Sequence, residues 1–381
     1  MTSIREAVRR FFTSETPLPA GMYHFQSPTE ATSPYRLHLR LEPDGSGVLV
    51  VNATTVLHLN QTAAEYAYHL VNNTPPEIAA QKISRRYRLS KLHALQDYQE
   101  FTGKIQTLVD TPDLDPEIYL DFQRKTPHGQ KLSAPIRLDC ALTYQLPEEI
   151  NPLDAPTRNV ERELTTSEWK SILDNAWAFG IPHVVFTGGE PTLREDLPEL
   201  IAHAEENGQV SGLLSNGLRL SDSSYLHSLL QTGLDYLLMT FSPEDNRAWT
   251  ALENVLAADL YVAVHLTIAL SNAIEAPELL HKLAQKGVKA ISLSSADSTL
   301  HSTLTDLRNQ VAFLGMSLVW DLPVPYSSFN PVALETLEDI PSQGPGTTWL
   351  YIEPDGDVLP GQGIHQVLGN LLVDPWDKLW Q

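Results

Sequence analysis

The chain has 381 residues, 42% of them hydrophobic and 19% charged, a balance typical of a globular protein with material for more than one core. Its formal net charge is −21, and because so acidic a surface repels phosphate backbones, we expect no nucleic-acid partner. No apolar run reaches the roughly 20 residues of a membrane helix and the start lacks a secretory-signal pattern, so we expect no membrane partner and a cytoplasmic location.

The first part of the chain predicts a small α+β unit after a poorly patterned lead-in segment. A short helix is expected at 3–12, followed by a stretch rich in Pro, Gly, Thr and Ser. Alternation then places Leu37, Leu39 and Leu41 on one face of a strand, and Asn60 stands where it would cap a helix. The strands and helices predicted for this unit are 35–41, 48–51, 56–59, 61–71, 76–87 and 90–109.

The second part of the chain predicts repeated β/α units. Thr165 and Glu168 have the spacing of a capping box at the start of the first helix. Six units in succession predict a parallel sheet, curved or closed, with its working face at the carboxyl ends of the strands. A hairpin-like stretch at 349–358 follows in a tail that is rich in Pro and Gly. The predicted strands are 136–143, 183–187, 212–214, 236–241, 261–268, 290–293 and 317–320, and the predicted helices are 165–179, 193–207, 223–232, 247–258, 276–286 and 299–314.

A Gly-Gly-Glu-Pro turn follows the second strand of this part, at Gly188, Gly189, Glu190 and Pro191. Two glycines at a strand end let a ligand approach the backbone closely, because no Cβ intervenes. A carboxylate beside them can accept hydrogen bonds from an ammonium group. The alternative interpretation is an ordinary turn between a strand and a helix, with an acid that caps the helix.

Together with its surroundings, this turn resembles the second β/α unit of radical S-adenosylmethionine (SAM) enzymes, in the peptide-modifying, SPASM-containing branch. Residues 214–217 (Leu-Ser-Asn-Gly) resemble the turn after the third strand of that family, and residues 142–144 resemble the end of its first strand. The resemblance covers about 134–325 and implies a partial (β/α)6, TIM-like barrel of the α/β class. The remnant SAM pocket that it implies consists of Gly188, Gly189, Glu190, Pro191 and Asn216.

Two further resemblances concern the ends of the chain. Residues 48–64 resemble the strand-turn-helix signature of the peptide-binding family of pyrroloquinoline quinone synthesis protein D, which implies a winged-helix-like domain that recognises leader peptides. Residues 351–371 resemble the opening of a SPASM extension. The predicted division is a lead-in at 1–34, the peptide-recognition domain at 35–110, a linker at 111–131, the β/α core at 132–328 and a truncated SPASM-like tail at 329–381.

The chain departs from the family at the cluster loop, where radical SAM enzymes have Cys-x3-Cys-x2-Cys. Ungapped counting places Leu146, Ile150 and Leu153 at the three cysteine positions. The only cysteine, Cys140, falls six residues earlier inside the preceding strand, and Gly361 stands where the SPASM-like tail should have another. A [4Fe–4S] cluster is ordinarily held by cysteine thiolates, so we expect no cluster, no metal and no catalytic residue. SAM is the one cofactor with which the remnant pocket is still compatible.

Other candidate residues are few. Asp235, Ser242 and Asp245 are expected near the end of the fourth strand, where β/α folds place ligand contacts. His183 and His265 have no partner at metal-ligand spacing and are interpreted as structural. The chain contains no HExxH, no G-x-S-x-G elbow and no P-loop.

The leading functional hypothesis is therefore a pseudoenzyme: a degenerate radical SAM protein without a cluster, serving as a peptide- or protein-binding scaffold in a peptide-modification pathway. Its N-terminal domain would capture a peptide by strand addition at a sheet edge, and its β/α domain would dock a partner enzyme. The alternative is an enzyme that binds SAM and works by non-radical chemistry or with an unrecognised cluster. A relic without a binding function is a third interpretation.

Overall fold

The chain was analysed as a computed structural model, which divides into two compact units, residues 1–127 and 128–381. The helix predicted at 3–12 lies outside the described residues, and the finer division into five segments stays a prediction. The structure describes residues 18–28, 34–52, 55–111, 120, 132–147, 160–295, 297–319 and 344–380.

The N-terminal unit contains a four-stranded antiparallel sheet in the order β1-β2-β3-β4, with three helices packed on one face. Leu37, Leu39 and Leu41 are all buried in its core, as their alternation predicts. Asn60 caps the first helix by accepting a hydrogen bond from the amide of Ala63. The elements are β1 Gly21–Gln26, β2 Arg36–Leu41, β3 Gly47–Val51, β4 Thr55–Leu59, α1 Gln61–Val71, α2 Pro76–Tyr87 and α3 Lys91–Asp110.

Strand β1 was not predicted, because it lies in the stretch interpreted as a lead-in. It pairs with β2 along its whole length, from Gly21 opposite Leu41 to Gln26 opposite Arg36. Its side chains are exposed or half-buried, so the sequence lacks the apolar alternation that marks a strand packed on a core. Strand β1 therefore forms because its backbone pairs with β2, an interaction between separate segments of the chain that local pattern does not reveal.

The C-terminal unit contains six successive β/α units, as predicted, on a ten-stranded sheet of order β11-β10-β9-β8-β7-β6-β5-β12-β13-β14. Strands β5 to β11 are all parallel to one another. The strands are β5 Arg137–Thr143, β6 His183–Gly188, β7 Val210–Ser215, β8 Tyr236–Thr240, β9 Tyr261–Thr267, β10 Ala290–Ser294, β11 Ser317–Leu318, β12 Trp349–Ile352, β13 Asp357–Leu359 and β14 Gly369–Asn370. The helices are α4 Thr166–Ala178, α5 Leu197–Asn207, α6 Ser223–Leu230, α7 Asn246–Leu256, α8 Ala276–Gln285, α9 His301–Phe313 and α10 Trp376–Leu379.

The predicted α/β fold class is confirmed, and the sheet does not close into a barrel among the described strands. The tail forms the expected hairpin of β12 and β13, and β12 also pairs in parallel with β5. The tail therefore extends the main sheet beyond the first β/α strand. Alternate residues of β6, Val184 and Phe186, join the core beneath the helices, so Thr187 lies on the other face of the sheet.

Helix α5 begins at Leu197, four residues later than predicted. Residues Pro191–Leu193 instead form a short 3₁₀ turn, and Pro198 follows at the start of α5. No helix among the described ranges is long and apolar enough to cross a membrane.

Candidate functional site

The two glycines of the Gly-Gly-Glu-Pro turn are explained by a neighbouring stretch of backbone. A Cβ on Gly188 would overlap the carbonyl oxygen of Thr143, and one on Gly189 would overlap that of Gln145. The amide of Gly189 donates to the Thr143 carbonyl at 2.7 Å, and the amide of Glu190 donates to the Gln145 carbonyl at 2.8 Å. The glycines thus let the end of β5 and the turn after β6 pack together, which differs from the predicted reason of ligand approach.

Glu190 is buried and already engaged by donors of the protein. Its Oε1 atom accepts from the amide of Thr192 at 3.0 Å and from the hydroxyls of Thr192 and Ser215 at 2.6 and 2.8 Å. Its Oε2 atom accepts from the amide of Asn216 at 2.8 Å. Burial raises the pKa of this carboxyl above its ordinary value, against the opposing effect of these donors. The carboxylate caps the 3₁₀ turn, which agrees with the alternative interpretation of the motif.

The structure brings Asn216 next to the turn, as the resemblance implies. Its side-chain Oδ1 accepts from the amide of Leu218 at 2.9 Å, which fixes the orientation of the amide group. Its Nδ2 atom is buried and has no hydrogen-bond partner among the described residues. Pro191 is buried in the 3₁₀ turn, where its ring starts the helical segment.

Thr187 was missed by sequence reasoning. The residue is fully buried at the carboxyl end of β6, and its Oγ1 atom finds no hydrogen-bond partner in the part of the chain that the structure describes. A buried hydroxyl without a partner is costly, so a ligand that pairs with it would be stabilised. The only signal for Thr187 in the sequence was a polar residue at the end of a strand whose residues Val184 and Phe186 are apolar. Two unpaired buried polar atoms, on Thr187 and Asn216, are compatible with a polar ligand such as SAM.

The residues present do not fit a cluster held by three thiolates of this chain. Cys140, the only cysteine, is fully buried within β5 in the core beneath the helices. Burial, with a smaller contribution from Asp139, raises the pKa of its thiol far above the usual range, so it is a poor source of thiolate. Leu146 is described just after β5, whereas Ile150 and Leu153 lie outside the described residues. No reaction step is derived through such a cluster.

The tail places the polar side chains of Tyr351 and Glu353 beside Tyr144, just after β5. The sequence did not predict this group. The Tyr144 hydroxyl donates to Glu353 Oε1 at 3.1 Å and lies 3.5 Å from the Tyr351 hydroxyl. Burial is the main reason that the pKa of Tyr144 is raised, and the neighbouring Tyr351 and Glu353 raise it further. Carboxylate oxygens of Glu353, Asp355 and Asp357 lie within 4.8 Å of one another. The prediction that the chain holds no metal stays a prediction.

His265 lies in a buried group of hydroxyls on neighbouring strands. Its Nδ1 lies 3.0 Å from the Ser292 hydroxyl, and its Nε2 lies 3.0 Å from the hydroxyl of Ser294 and 3.3 Å from that of Thr267. Burial lowers its pKa from 6.5 to about 4, which keeps the ring neutral at physiological pH. These contacts agree with the structural interpretation of His265.

The three other pocket candidates, Asp235, Ser242 and Asp245, lie at different places in the fold. Asp235 precedes β8 and accepts from the amide of Ser211 at 2.8 Å, so it lies at the amino end of the strands and the prediction for it is wrong. The predicted strand at 236–241 already begins after Asp235, so the error lay in assigning this residue to the carboxyl end of the strand. Asp245 caps α7 and binds the Arg247 guanidinium, which lowers the pKa of its carboxyl. Ser242 lies half-buried just after β8.

Comparison with known proteins identifies a match between residues 140–242 and the radical SAM superfamily. The PqqA peptide cyclase of Streptomyces rochei is 26% identical over 284 residues, which cover 65% of this chain and 76% of that protein. The PqqA peptide cyclase of Granulibacter bethesdensis is 27% identical over 238 residues, 59% of this chain and 60% of that protein. The resemblance to the radical SAM superfamily and its peptide-modifying branch is therefore confirmed.

Solved structures with the same fold agree with this result. Streptococcus suis SuiB bound to its precursor peptide SuiA has a TM-score of 0.61 at 16% identity, covering 90% of this chain and 87% of that one. SuiB bound to S-adenosylmethionine has a TM-score of 0.57 at 17% identity, covering 92% and 87%.

Two predictions are corrected by these comparisons. The prediction that the chain is not an enzyme is contradicted, because its relatives are named peptide cyclases. The prediction that it has no cofactor is contradicted as well, because the matching family is that of radical SAM proteins and a structure with the same fold contains S-adenosylmethionine. The aliphatic residues at the cysteine positions led to both predictions. Of the two functional hypotheses, the comparisons favour the enzyme.

Proposed function

We propose that this chain is a SAM-binding enzyme that modifies a peptide. The observation that carries the proposal is the pair of buried polar atoms, Thr187 Oγ1 and Asn216 Nδ2, which have no partner among the described residues and lie beside the Gly-Gly-Glu-Pro turn. Thr187 is the penultimate residue of β6 and Asn216 follows β7, so both lie at the carboxyl ends of parallel strands, which is where β/α folds bind ligands. The naming of the relatives as peptide cyclases supports a peptide as the substrate class.

SAM would be held by the Thr187 hydroxyl and the Asn216 amide. When bound, SAM supplies an activated sulfonium carbon to the reaction. Burial of the Thr187 side chain indicates a site from which water is largely excluded, and exclusion of water strengthens each polar contact to the ligand. The neutral His265 and its hydroxyl neighbours lie at the same edge of the sheet, on strands β9 and β10. His265 on β9 is paired with Thr240 on β8, the strand next to β7.

The peptide would bind to the N-terminal unit by adding a strand to its sheet. The outer strands are β1 and β4, and each presents backbone groups to a further strand. Val56 on β4 is one of the few exposed large apolar side chains of this unit, at 36% exposure, and offers an apolar contact to an added strand. We therefore assign the peptide to β4.

Calorimetry and product analysis test the SAM half of the proposal. We expect SAM to bind the purified chain with one site, and the bound peptide to change mass when SAM is supplied. Formation of S-adenosylhomocysteine would indicate methyl transfer, and formation of 5′-deoxyadenosine would indicate homolytic cleavage. Iron and sulfide analysis after anaerobic reconstitution belongs in the same experiment. Absence of both SAM binding and peptide modification would contradict the proposal.

Hydrogen exchange tests the peptide half. Peptides that co-purify with the chain from its native host would be identified by mass spectrometry and synthesised. Adding one of them should slow amide exchange in 55–59 by at least tenfold and leave 21–26 unchanged, because only the edge that accepts the new strand gains hydrogen bonds. Protection confined to 21–26 would indicate that the peptide binds at β1 and would contradict the assignment to β4.

A further inference from the structure

Basic residues are concentrated in one short stretch of the N-terminal unit. Residues 78–96 contain five of the 26 Lys and Arg residues of the chain and none of its 47 Asp and Glu residues. One of the five, Arg86, is half-buried and binds Glu65 at 3.1 Å. The other four are exposed and have no ion-pair partner among the described residues, so their charge faces solvent. This basic surface consists of Lys82, Arg85, Arg88 and Lys91.

Helix stability does not explain the arrangement of these cations. Arg85 lies in the last turn of α2, where a cation interacts favourably with the negative end of the helix dipole. Lys91 is the first residue of α3, where a cation is unfavourable, and the first turn of α3 contains no acidic residue to offset it. Arg88, in the turn between the helices, adopts the left-handed conformation with a φ of 51°, where glycine is the usual residue. Two of the four cations thus stand where folding alone favours another residue, which indicates a role in binding.

Exposed aliphatic side chains accompany the cations. Ile78 is 46% exposed and precedes Lys82 and Arg85 on the same face of α2, because the spacing is four and then three residues. Leu92 is 65% exposed and directly follows Lys91. A phosphate backbone offers these side chains no apolar contact, whereas a peptide carries apolar as well as charged side chains. The basic surface is therefore better suited to an acidic peptide than to a nucleic acid.

The charge of the whole chain makes this surface selective. With a formal net charge of −21, the protein repels acidic peptides over most of its surface. A cluster of unpaired cations reverses the potential locally. Complementary potentials guide the encounter of two partners and fix the orientation in which they bind. An acidic segment is therefore drawn to the basic surface in preference to the rest of the protein.

The basic surface begins beside the end of β4, the edge strand assigned to the peptide. Tyr87, the last residue of α2, donates a hydrogen bond from its hydroxyl to the carbonyl of Gln61 at 3.3 Å. Gln61 is the first residue of α1, and β4 ends two residues earlier at Leu59. A peptide that adds a strand along β4 and continues past Leu59 therefore brings its next residues towards the cations.

We propose that the basic surface binds an acidic segment of the peptide substrate, and that Ile78 and Leu92 contact apolar residues of that segment. The segment adjoins the one that adds a strand to β4. This inference rests on the proposed function for the role of the peptide as substrate, and on charge and exposure for the chemistry of the segment. The basic surface selects the peptide and takes no part in the reaction with SAM.

Two charge-matched variants of the full chain test the proposal. The probe is a fluorescein-labelled peptide of repeated Glu-Leu-Ser units, and fluorescence anisotropy measures its binding. Replacing the basic surface should weaken binding by about tenfold or more, since each of four exposed ion pairs contributes a little. The control variant removes four lysines elsewhere and should change affinity by less than about twofold, because it lowers the net charge equally but leaves the surface intact. The first variant combines Lys82→Gln, Arg85→Gln, Arg88→Gln and Lys91→Gln, and the control combines Lys104→Gln, Lys170→Gln, Lys286→Gln and Lys378→Gln.

Salt provides a second measurement on the same variants. Raising the salt concentration from about 0.05 M to about 0.5 M should weaken the wild-type complex and reduce the difference between the two variants, because exposed charges are screened. The melting temperature of each variant shows whether it folds. If the variant of the basic surface does not fold, the pair Lys82→Gln and Arg85→Gln replaces it, with Lys104→Gln and Lys170→Gln as its control.

Three results would overturn the proposal. The wild-type chain could fail to bind the acidic probe, or both variants could lose the same affinity, which would indicate a response to net charge alone. The third is tighter binding of a labelled oligothymidylate than of the peptide, with the same dependence on Arg85 and Arg88, which would assign the surface to nucleic acid. The titration needs neither SAM nor turnover. A chain that binds the acidic probe through this surface but modifies no peptide would therefore contradict the proposed function and still support a binding site for acidic peptides.

Discussion

Gly188 and Gly189 stand where two stretches of backbone meet without room for a side chain. Gly188 has a φ of 128°, which side chains rarely adopt, and Gly189 approaches the carbonyl of Gln145. The requirement for glycine is thus steric and local, and it is independent of any ligand. The Gly-Gly-Glu-Pro motif by itself is compatible with either reason for glycine, ligand approach or backbone packing. Only the position of the end of β5 in the structure distinguishes the two.

Gly189→Ala should reduce the free energy of unfolding by roughly 2–3 kcal/mol, because its Cβ would displace backbone that other strands hold in place. Urea unfolding measures this loss. Gly103→Ala is the control: Gly103 lies within helix α3, and no atom outside its helix approaches the position of a Cβ. Here alanine should add about 1 kcal/mol of stability. Equal unfolding midpoints for Gly189→Ala and the wild type would contradict the steric explanation.

His265 makes the stability of the C-terminal unit sensitive to acid. Its pKa is about 4 in the folded chain, below the 6.5 of an exposed histidine, because burial disfavours the charged ring. The unfolded chain therefore binds a proton at a pH where the folded chain does not. The stabilisation is fully present above pH 6.5 and is lost as the pH falls towards 4.

Between pH 7.5 and pH 5, His265 should account for a loss on the order of 2 kcal/mol in the free energy of unfolding. His265→Gln should remove this part of the pH dependence. Burial also lowers the pKa of His69 to about 4, so a remaining part is expected from the N-terminal unit. His227→Gln, at an exposed position, is the control for the substitution itself and should change the free energy of unfolding at pH 7.5 by less than about 0.5 kcal/mol. A full wild-type slope in His265→Gln would refute the assignment.

At the scale of elements, local signals in the sequence define most helix starts. Thr165 accepts from the amide of Glu168, and the Glu168 carboxylate accepts from the amide of Thr165 at 2.9 Å, which completes the predicted capping box of α4. Asn60 and Asp222 cap α1 and α6 in the same manner with single side chains. These caps satisfy amides that the helix itself leaves unpaired.

Thr165→Ala should cost about 1 kcal/mol in the free energy of unfolding, because the amide of Glu168 loses the hydroxyl that accepts its hydrogen bond. Ser171→Ala within the same helix is the matched control, since Ser171 is exposed and its hydroxyl donates only to the Ser167 carbonyl. That change should be neutral or slightly stabilising. Equal effects of the two substitutions in urea unfolding would argue against the capping box.

At the scale of the whole molecule, the C-terminal unit is completed by the tail of the chain. Strand β12 pairs with β5, and Leu350 on it is fully buried in the main core. The Trp380 indole donates to the Leu132 carbonyl at 2.8 Å, and Trp376 stacks on Phe179 with ring centroids 4.5 Å apart. The first strand of the β/α series is therefore held on one side by residues more than 200 positions later in the sequence.

Leu350→Ala should reduce the free energy of unfolding by about 3 kcal/mol, because it leaves a cavity in the core shared by the tail and the β/α units. Val373→Ala is the control in the same tail, since Val373 is 79% exposed, and its effect should stay within about 0.5 kcal/mol. If Leu350→Ala were as mild as its control, the tail would contribute little to the core.

The sequence by itself determined the α/β class, the six β/α units and the caps at Asn60 and Thr165, because periodicity and capping act over a few residues. It also located the turn of Gly188 to Pro191 and the family resemblance. It did not predict β1, whose pairing partner lies outside its local pattern. It gave two wrong conclusions, on activity and cofactor, because the missing cluster thiolates were taken to exclude any cofactor and catalysis as well.

Only the tertiary structure decided which polar atoms are already paired. Glu190 accepts four hydrogen bonds from two turns, whereas Thr187 and Asn216 each keep one polar atom without a partner among the described residues. Hydrogen bonding depends on distances between strands, and residues far apart in sequence set those distances. A motif shows which side chains stand together, but the register of the parallel strands determines which of them remain available to a ligand.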